Sequence, residues 1–262
     1  MISIYPWLGG KHRYVKTFQS VTNGIVFNRY IEPFFGSGAV FFGLGVLNKP
    51  CILSDRNLHV IDFWTYAQNI QNPNEIIDGL VQRQLKNSHD VFKQTIKEYN
   101  IKHNPIDFLY LTRNSFGGFL KQQKNARMIS AAINPCCKTK TIVSAKNLSE
   151  TLTTLKYVQH NPFLRFELND YAETIKKCQA GDLVYLDPPY FIETNKFINN
   201  YSSGDTMRSY DAHIKLRDDI NVLSQKNVRW ITTNANHQEI RNLYSGYNIT
   251  VLGKTDVIIR NF

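Results

Sequence analysis

The chain has 262 residues, 42% of them hydrophobic and 20% charged, a balance that excludes a disordered, collagen-like or solenoid protein. Its length gives one large domain or two modest ones, with a core that needs no disulfide staples. Thirty-one Lys and Arg against 21 Asp and Glu leave a net charge of +10 and a pI near 9.4. That charge suits a polyanionic partner, nucleic acid first and anionic membrane second. Cys51, Cys136, Cys137 and Cys178 show no paired metal spacing, so a reducing, cytoplasmic compartment is the simpler reading. No basic segment followed by an apolar stretch opens the sequence, and no signal peptide is expected. The apolar run from Ala39 to Leu47 is broken by Gly43 and Gly45 and is too short to span a bilayer.

Three zones follow along the chain. Up to about residue 60, short apolar runs end in glycine or acid. Ile25-Val26-Phe27 and Tyr30-Ile31-Glu32 lead into Pro33-Phe34-Phe35-Gly36-Ser37-Gly38, and Cys51 to Ser54 leads into Asp55. Such runs between helix-length segments predict a parallel sheet with crossover helices. Residues 61–150 read as a helix-rich insertion. Asn72-Pro73-Asn74-Glu75 is a helix start, with a cap, a proline at the first helical position and a capping-box acid. Ile76, Ile77, Leu80, Val81 and Leu85 then form one apolar face. Asn104-Pro105-Ile106-Asp107 repeats the start signal ahead of Phe108, Leu109 and Leu111.

Strand and helix alternation returns after residue 150. Phe163 to Leu168 alternates, Leu183 to Leu186 reads as a buried strand, and Asp211 caps a helix with Leu216, Ile220 and Leu223 inward. Residues 228–233, 247–251 and 257–259 read as further strands. The expected architecture is one α/β domain, residues 1–60 plus 151–262, interrupted by the insertion at 61–150.

Charge is unevenly spread. From Phe108 through Ser149 there is no Asp or Glu, while the same stretch holds Arg113, Lys121, Lys124, Arg127, Lys138, Lys140 and Lys146. Tyr110, Phe116, Phe119, Asn114 and Asn125 are interleaved with them. Arg, Asn and Gln read base edges while Lys and Ser grip phosphates, and Gly117-Gly118 lets a backbone approach a groove closely. This stretch reads as a polyanion site rather than a solvated basic face, with DNA and RNA both open.

Two segments carry the chemistry. In Glu32 to Gly38 the glycines stand where a first strand turns into a first helix, and Asp55 ends the next strand about 20 positions later, the place of a ribose-binding acid. The third glycine of a pyrophosphate fingerprint is missing, so an adenosine ligand without phosphates fits better than NAD. Asp187-Pro188-Pro189-Tyr190 directly follows the buried run Leu183 to Leu186. Two prolines cannot donate to a sheet ladder, and the residue before a proline is held extended. The result is a rigid elbow presenting a carboxylate, bare carbonyls and an aromatic ring at the carboxyl end of a strand.

In that order, the motifs resemble those of the Dam-type DNA adenine (N6) methyltransferase family. Tyr5-Pro6-Trp7-Leu8-Gly9-Gly10-Lys11 is similar to its amino-terminal motif, Tyr30 to Leu44 to its cofactor loop, Leu53 to Asn57 to its second cofactor motif, and Asp187 to Tyr190 to its catalytic tetrapeptide. The resemblance implies a Rossmann-like S-adenosylmethionine-dependent methyltransferase fold with a target-recognition insertion, acting on an adenine flipped out of double-stranded DNA. It places S-adenosylmethionine against Trp7, Lys11, Glu32, Pro33, Phe34, Phe35, Gly36, Ser37, Gly38, Asp55, Asp170, Tyr171 and Asp187. Asp187, Pro188, Pro189 and Tyr190 are its catalytic set; no metal, membrane or obligatory protein partner is implied. Arg113, Asn114, Lys121, Lys124 and Arg127 are expected on DNA, and a loop with Lys196, Phe197, Tyr201, Arg208 and Tyr210 reads either as a lid closing on the flipped strand or as a disordered surface loop. The segment Arg113 to Leu120 departs from the pattern of members that read GATC. The alternatives are an RNA or cytosine amino methyltransferase and a catalytically silent DNA-binding relative; Asp at position 187 resembles the adenine-in-DNA enzymes.

Overall fold

The computed structural model describes residues 1–45, 47–122, 127–134, 145–191 and 206–262, which form two compact units. The first comprises Thr22–Phe35, Asn48–Arg56 and Phe163–Phe262. It holds a seven-stranded sheet made of β1 (Tyr30–Glu32), β2 (Cys51–Asp55), β5 (Leu164–Leu168), β6 (Leu183–Leu186), β7 (Arg229–Ala235), β8 (Asn248–Leu252) and β9 (Asp256–Arg260). The spatial order is β5-β2-β1-β6-β7-β9-β8. The first five strands of that order are parallel, and β9 runs antiparallel to both β7 and β8.

The central strands are apolar without alternation because a parallel sheet is covered on both faces. Ile31 stands opposite Ile52 on one side and Val184 on the other, and all three are buried. Helices α8 (Tyr171–Lys176), α9 (Tyr210–Gln225) and α10 (Gln238–Leu243) belong to this unit. Leu216, Ile220 and Leu223 of α9 are fully buried in its core, each contributing about 1.5–3 kcal/mol by the area it removes from water. Chain order along the sheet reverses between β1 and β6, which makes the carboxyl ends of those strands the ligand-binding crevice of a doubly wound fold.

The second unit comprises Met1–Val21, Gly36–Leu47 and Asn57–Pro162. Its helices are α1 (Val15–Thr22), α2 (Ala39–Leu44), α3 (Leu58–Asn69), α4 (Asn74–Leu85), α5 (His89–Lys102), α6 (Pro105–Asn114) and α7 (Ala145–Val158), with a two-stranded antiparallel ribbon of β3 (Lys121–Gln122) and β4 (Ile129–Ser130). Helix α6 is its centre. Phe108, Leu109, Tyr110 and Leu111 are all buried, and the helix packs on α3, α4 and α5. Asn104 caps it as expected, its side chain accepting from Ile106 N at 2.9 Å.

Several sequence expectations shift. The helical unit takes in Met1–Val21, Gly36–Leu47 and residues up to Pro162, so its boundaries are wider than 61–150, because Tyr5 and α2 pack on helical-unit aromatics. Tyr5 meets Phe63 and Phe108 edge-on, and Phe42 lies against Trp64. The α4 helix begins at Asn74, one residue past Pro73, and Leu85 is 74% exposed at its end rather than on the apolar face. Ser209, not Asp211, caps α9, since its hydroxyl reaches Ala212 N. Residues 25–27 are irregular. No helix among the described residues is long and apolar enough to cross a membrane. Cys51 and Cys178 are free and buried, and burial pushes both thiols up to about 12, which makes them inert packing groups.

Candidate active site

In the sheet unit, acids terminate three neighbouring parallel strands: Glu32 on β1, Asp55 on β2 and Asp187 just past β6. Glu32 is 2% exposed, and Tyr30 donates its hydroxyl to Glu32 Oε2 at 2.7 Å. Burial raises the Glu32 pKa well above the ordinary carboxyl range, Asp187 and Asp55 push the same way, and the Tyr30 bond only partly opposes them. Burial thus disfavours the charged form of Glu32 within this acidic group. The segment after β1 is tied down by Phe35 N, which donates to Ser54 O at 3.0 Å, while Ser54 and Thr174 hydroxyls pair at 2.7 Å.

Phe34 stacks on Tyr171 with ring centres 5.3 Å apart and planes at 22°. Tyr171 is buried and donates to Asp219 Oδ2 at 3.0 Å, with Lys215 Nζ 5.5 Å from its ring centre. Asp170, its predicted companion, is exposed and caps α8 by accepting from Ala172 N at 3.0 Å. The match at Asp170-Tyr171 therefore has a structural explanation of its own.

The elbow after β6 is braced from β7. Thr233 donates its hydroxyl to Asp187 Oδ1 at 2.6 Å, and the Tyr185 and Thr233 hydroxyls lie 3.3 Å apart. Pro188 is buried and Tyr190 half-buried. Phe191 N donates to Asn234 Oδ1 at 3.3 Å, so the turn is held on both sides of its prolines. Thr233, Asn234 and Tyr185 were not among the sequence candidates. A signal existed: Thr232-Thr233-Asn234 puts three polar residues at the carboxyl end of a strand whose middle, Trp230-Ile231, is apolar, the end where ligands bind in such a sheet.

The remaining cofactor candidates belong to the helical unit. The Trp7 ring lies against Gly36, where a Cβ would sit 2.6 Å from Trp7 Cδ1, and Gly36 has φ +50°. Both facts demand glycine. Gly36 O accepts from Tyr5 OH at 2.9 Å and from Trp64 Nε1 at 3.2 Å, so two aromatic donors fix the loop. Gly38, at φ +68°, opens α2. Lys11 is buried and donates its ammonium to Gly9 O.

The expected DNA contacts divide. Arg113 turns inward: its guanidinium donates to Ile4 O at 2.8 Å, Asn147 Oδ1 at 2.9 Å and Thr151 Oγ1 at 2.9 Å, and burial lowers its pKa to about 10. Asn114 is 1% exposed and pairs with Tyr110 O and Asn87. These two are internal braces, because the last turn of α6 is enclosed, and they are corrected from surface readers to structural residues. Lys121 is half-buried on β3, and Arg127 is exposed. Phe116 is 65% exposed on a turn whose Gly118 approaches Pro6 O so closely that a Cβ would lie 2.4 Å from it. Lys124, Lys138, Lys140, Lys196, Phe197, Tyr201, Cys136 and Cys137 lie outside the described residues.

The strand order, with acids at the carboxyl ends around the switch point, makes the sheet unit Rossmann-like. The chain belongs to the D12 class N6 adenine-specific DNA methyltransferase family, whose sequence profile matches residues 7–258. It is 28% identical to the type II methyltransferase M1.LlaDCHI of Lactococcus lactis subsp. cremoris, over 93% of this chain and 84% of that one. It is 24% identical to the DNA N-6-adenine-methyltransferase of Escherichia phage P1, over 95% of this chain but 32% of that longer one. A DNA adenine methylase of Vibrio cholerae is 21% identical, over 97% of this chain and 89% of its own length.

Proposed function

We propose that this adenine-specific DNA methyltransferase takes its methyl group from S-adenosylmethionine and delivers it to an adenine flipped out of double-stranded DNA. The residues present fit that donor. Asp55 ends β2 where a ribose hydroxyl is accepted, the stacked Phe34 and Tyr171 offer an apolar wall for an adenine ring, and the acidic strand ends complement a positive charge. Gly36 keeps the loop free of a side chain. When bound, the donor supplies a methyl group on a cationic sulfur, whose departure leaves a neutral thioether.

The protein's own part is acceptor geometry. An exocyclic amino nitrogen is a poor nucleophile because its lone pair is delocalised into the ring. The Asp187 carboxylate and the Pro188 carbonyl accept its two N–H groups, which favours a pyramidal nitrogen with its lone pair exposed. Pro188 and Pro189 have no N–H to compete for those acceptors. Thr233 holds one Asp187 oxygen, which fixes the orientation of the carboxylate. Tyr190 stacks on the base, and the proton lost from the methylated nitrogen leaves through Asp187 or solvent. Flipping costs a few kcal/mol, offset by phosphate contacts from Lys121, Lys124 and Arg127.

The observation that carries this reading is the Thr233-braced Asp187 at the switch point. The test is incubation with unmethylated DNA and methyl-labelled S-adenosylmethionine, then digestion to nucleosides and mass spectrometry. Label is expected in N6-methyladenine, and Asp187→Ala should reduce it by about 10³-fold or more while leaving donor binding largely intact. Label in methylcytosine or only in RNA, or turnover retained in Asp187→Ala, overturns the reading.

A further inference from the structure

Behind the elbow lies a buried polar pair that the roles above do not use. Asn234 Oδ1 accepts from Phe191 N at 3.3 Å and from Ala235 N at 2.8 Å. Two N–H donors on that oxygen fix the orientation of the amide, so its Nδ2 donates to His213 Nδ1 at 3.1 Å. A neutral imidazole that accepts at Nδ1 carries its proton on Nε2. Burial drives the His213 pKa down to about 4 against the pull of the Pro189 carbonyl, so the ring is neutral at physiological pH. His213 and Asn234 are 0% and 1% exposed, and His213 Nε2 has no hydrogen-bond partner among the described residues. The Phe191 ring meets the imidazole edge-on with centres 6.2 Å apart.

Strand β7 thus sends the Asn234 amide to the Phe191 backbone, and helix α9 sends His213 to that amide from behind. An apolar pair would fill that volume without the desolvation cost of an unpartnered N–H, so the polar choice needs a reason beyond packing. We propose that His213 and Asn234 are positioning residues, holding the Pro189–Phe191 backbone so that the Asp187 carboxylate and Pro188 carbonyl keep their aim at the amino group. This rests on the role given to Asp187 and Pro188 above. Neither side chain touches the base; both act through the turn, where a displacement of about 1 Å is enough to cost methyl transfer on the order of 10²-fold.

The test is single-turnover methylation with enzyme in excess, alongside titrations of a DNA duplex and of S-adenosylmethionine and a thermal melt. His213→Phe should melt cooperatively and bind both ligands within about 2-fold of wild type, while its methylation rate constant falls about 10-fold or more. His213→Asn, whose amide oxygen can occupy the place of Nδ1 and accept from Asn234 Nδ2, should recover most of that rate; His213→Gln, which reaches only the place of Nε2, should not. Adding Asn234→Leu to His213→Phe should cost little more, because the two act as one unit. A folded His213→Phe with the wild-type rate overturns the proposal. If that variant does not fold, equal rates for the Gln and Asn variants overturn it. Asp187→Ala separates the two levels: turnover in that variant sinks the reading of the elbow itself, whereas its inactivity beside a fully active His213→Phe sinks only the positioning role.

Discussion

Glu32 and Arg113 look alike in the sequence as charged residues in functional segments, and burial gives them opposite consequences. For Glu32 the folded-state pKa lies above the unfolded value of 4.5, so the native state binds the extra proton between those two values. Stability is then fullest below the unfolded pKa and declines as pH rises through the window toward the folded one. Glu32→Gln keeps an acceptor for Tyr30 and removes the titration. It should raise the melting temperature more at pH 8 than at pH 5; a shift of equal size at both pH values would contradict the assignment. Arg113 is internal mortar: three groups, Ile4 O, Asn147 and Thr151, lose their donor in Arg113→Ala. Denaturant unfolding should show a loss of about 2–4 kcal/mol, with no change in the salt dependence of DNA binding.

At the scale of elements, the ribbon of β3 and β4 is where that salt dependence should reside. If Lys121 and Arg127 each neutralise a phosphate, replacing both by Ala should flatten the plot of log affinity against log salt by about 2, roughly one per contact. An unchanged slope would remove this ribbon from the DNA interface. The strands and most helices were legible beforehand because their signals are local: Leu183–Leu186 is a buried apolar run, and Asn104-Pro105 is a cap with its proline. Asp187 was legible because a proline pair fixes its place at a strand end. Thr233, Asn234 and His213 were not, since their roles depend on β7 lying beside β6 and α9 lying behind the elbow, pairings that no spacing encodes. Arg113 was misread for the converse reason. An acid-free stretch records the sum of its charges but not which of them the fold turns inward.

For the whole molecule, the net charge of +10 favours encounter with DNA, while the proposed donor site lies among acids at the carboxyl ends of β1, β2 and β6. The two tendencies coexist because the acidic group is small, and burial disfavours the charged form of its Glu32. In the proposed function the basic surplus governs encounter, and the acidic strand ends govern the ligand held after encounter. The order in which segments contribute to the units has a different consequence, for biosynthesis. The chain passes between the units after Val21, Phe35, Leu47, Arg56 and Pro162, so the helical unit has all its parts once Pro162 is made. Strand β1, by contrast, pairs with β2 on one side and β6 on the other. At ordinary ribosomal rates β6 emerges roughly 10–30 s after β1. During that interval Tyr30, Ile31, Ile52 and Leu53 form an apolar pair of strands with an open edge, a template for mispairing. Nascent chains of this protein should thus be most vulnerable to aggregation in the middle of translation, before β6 covers that edge.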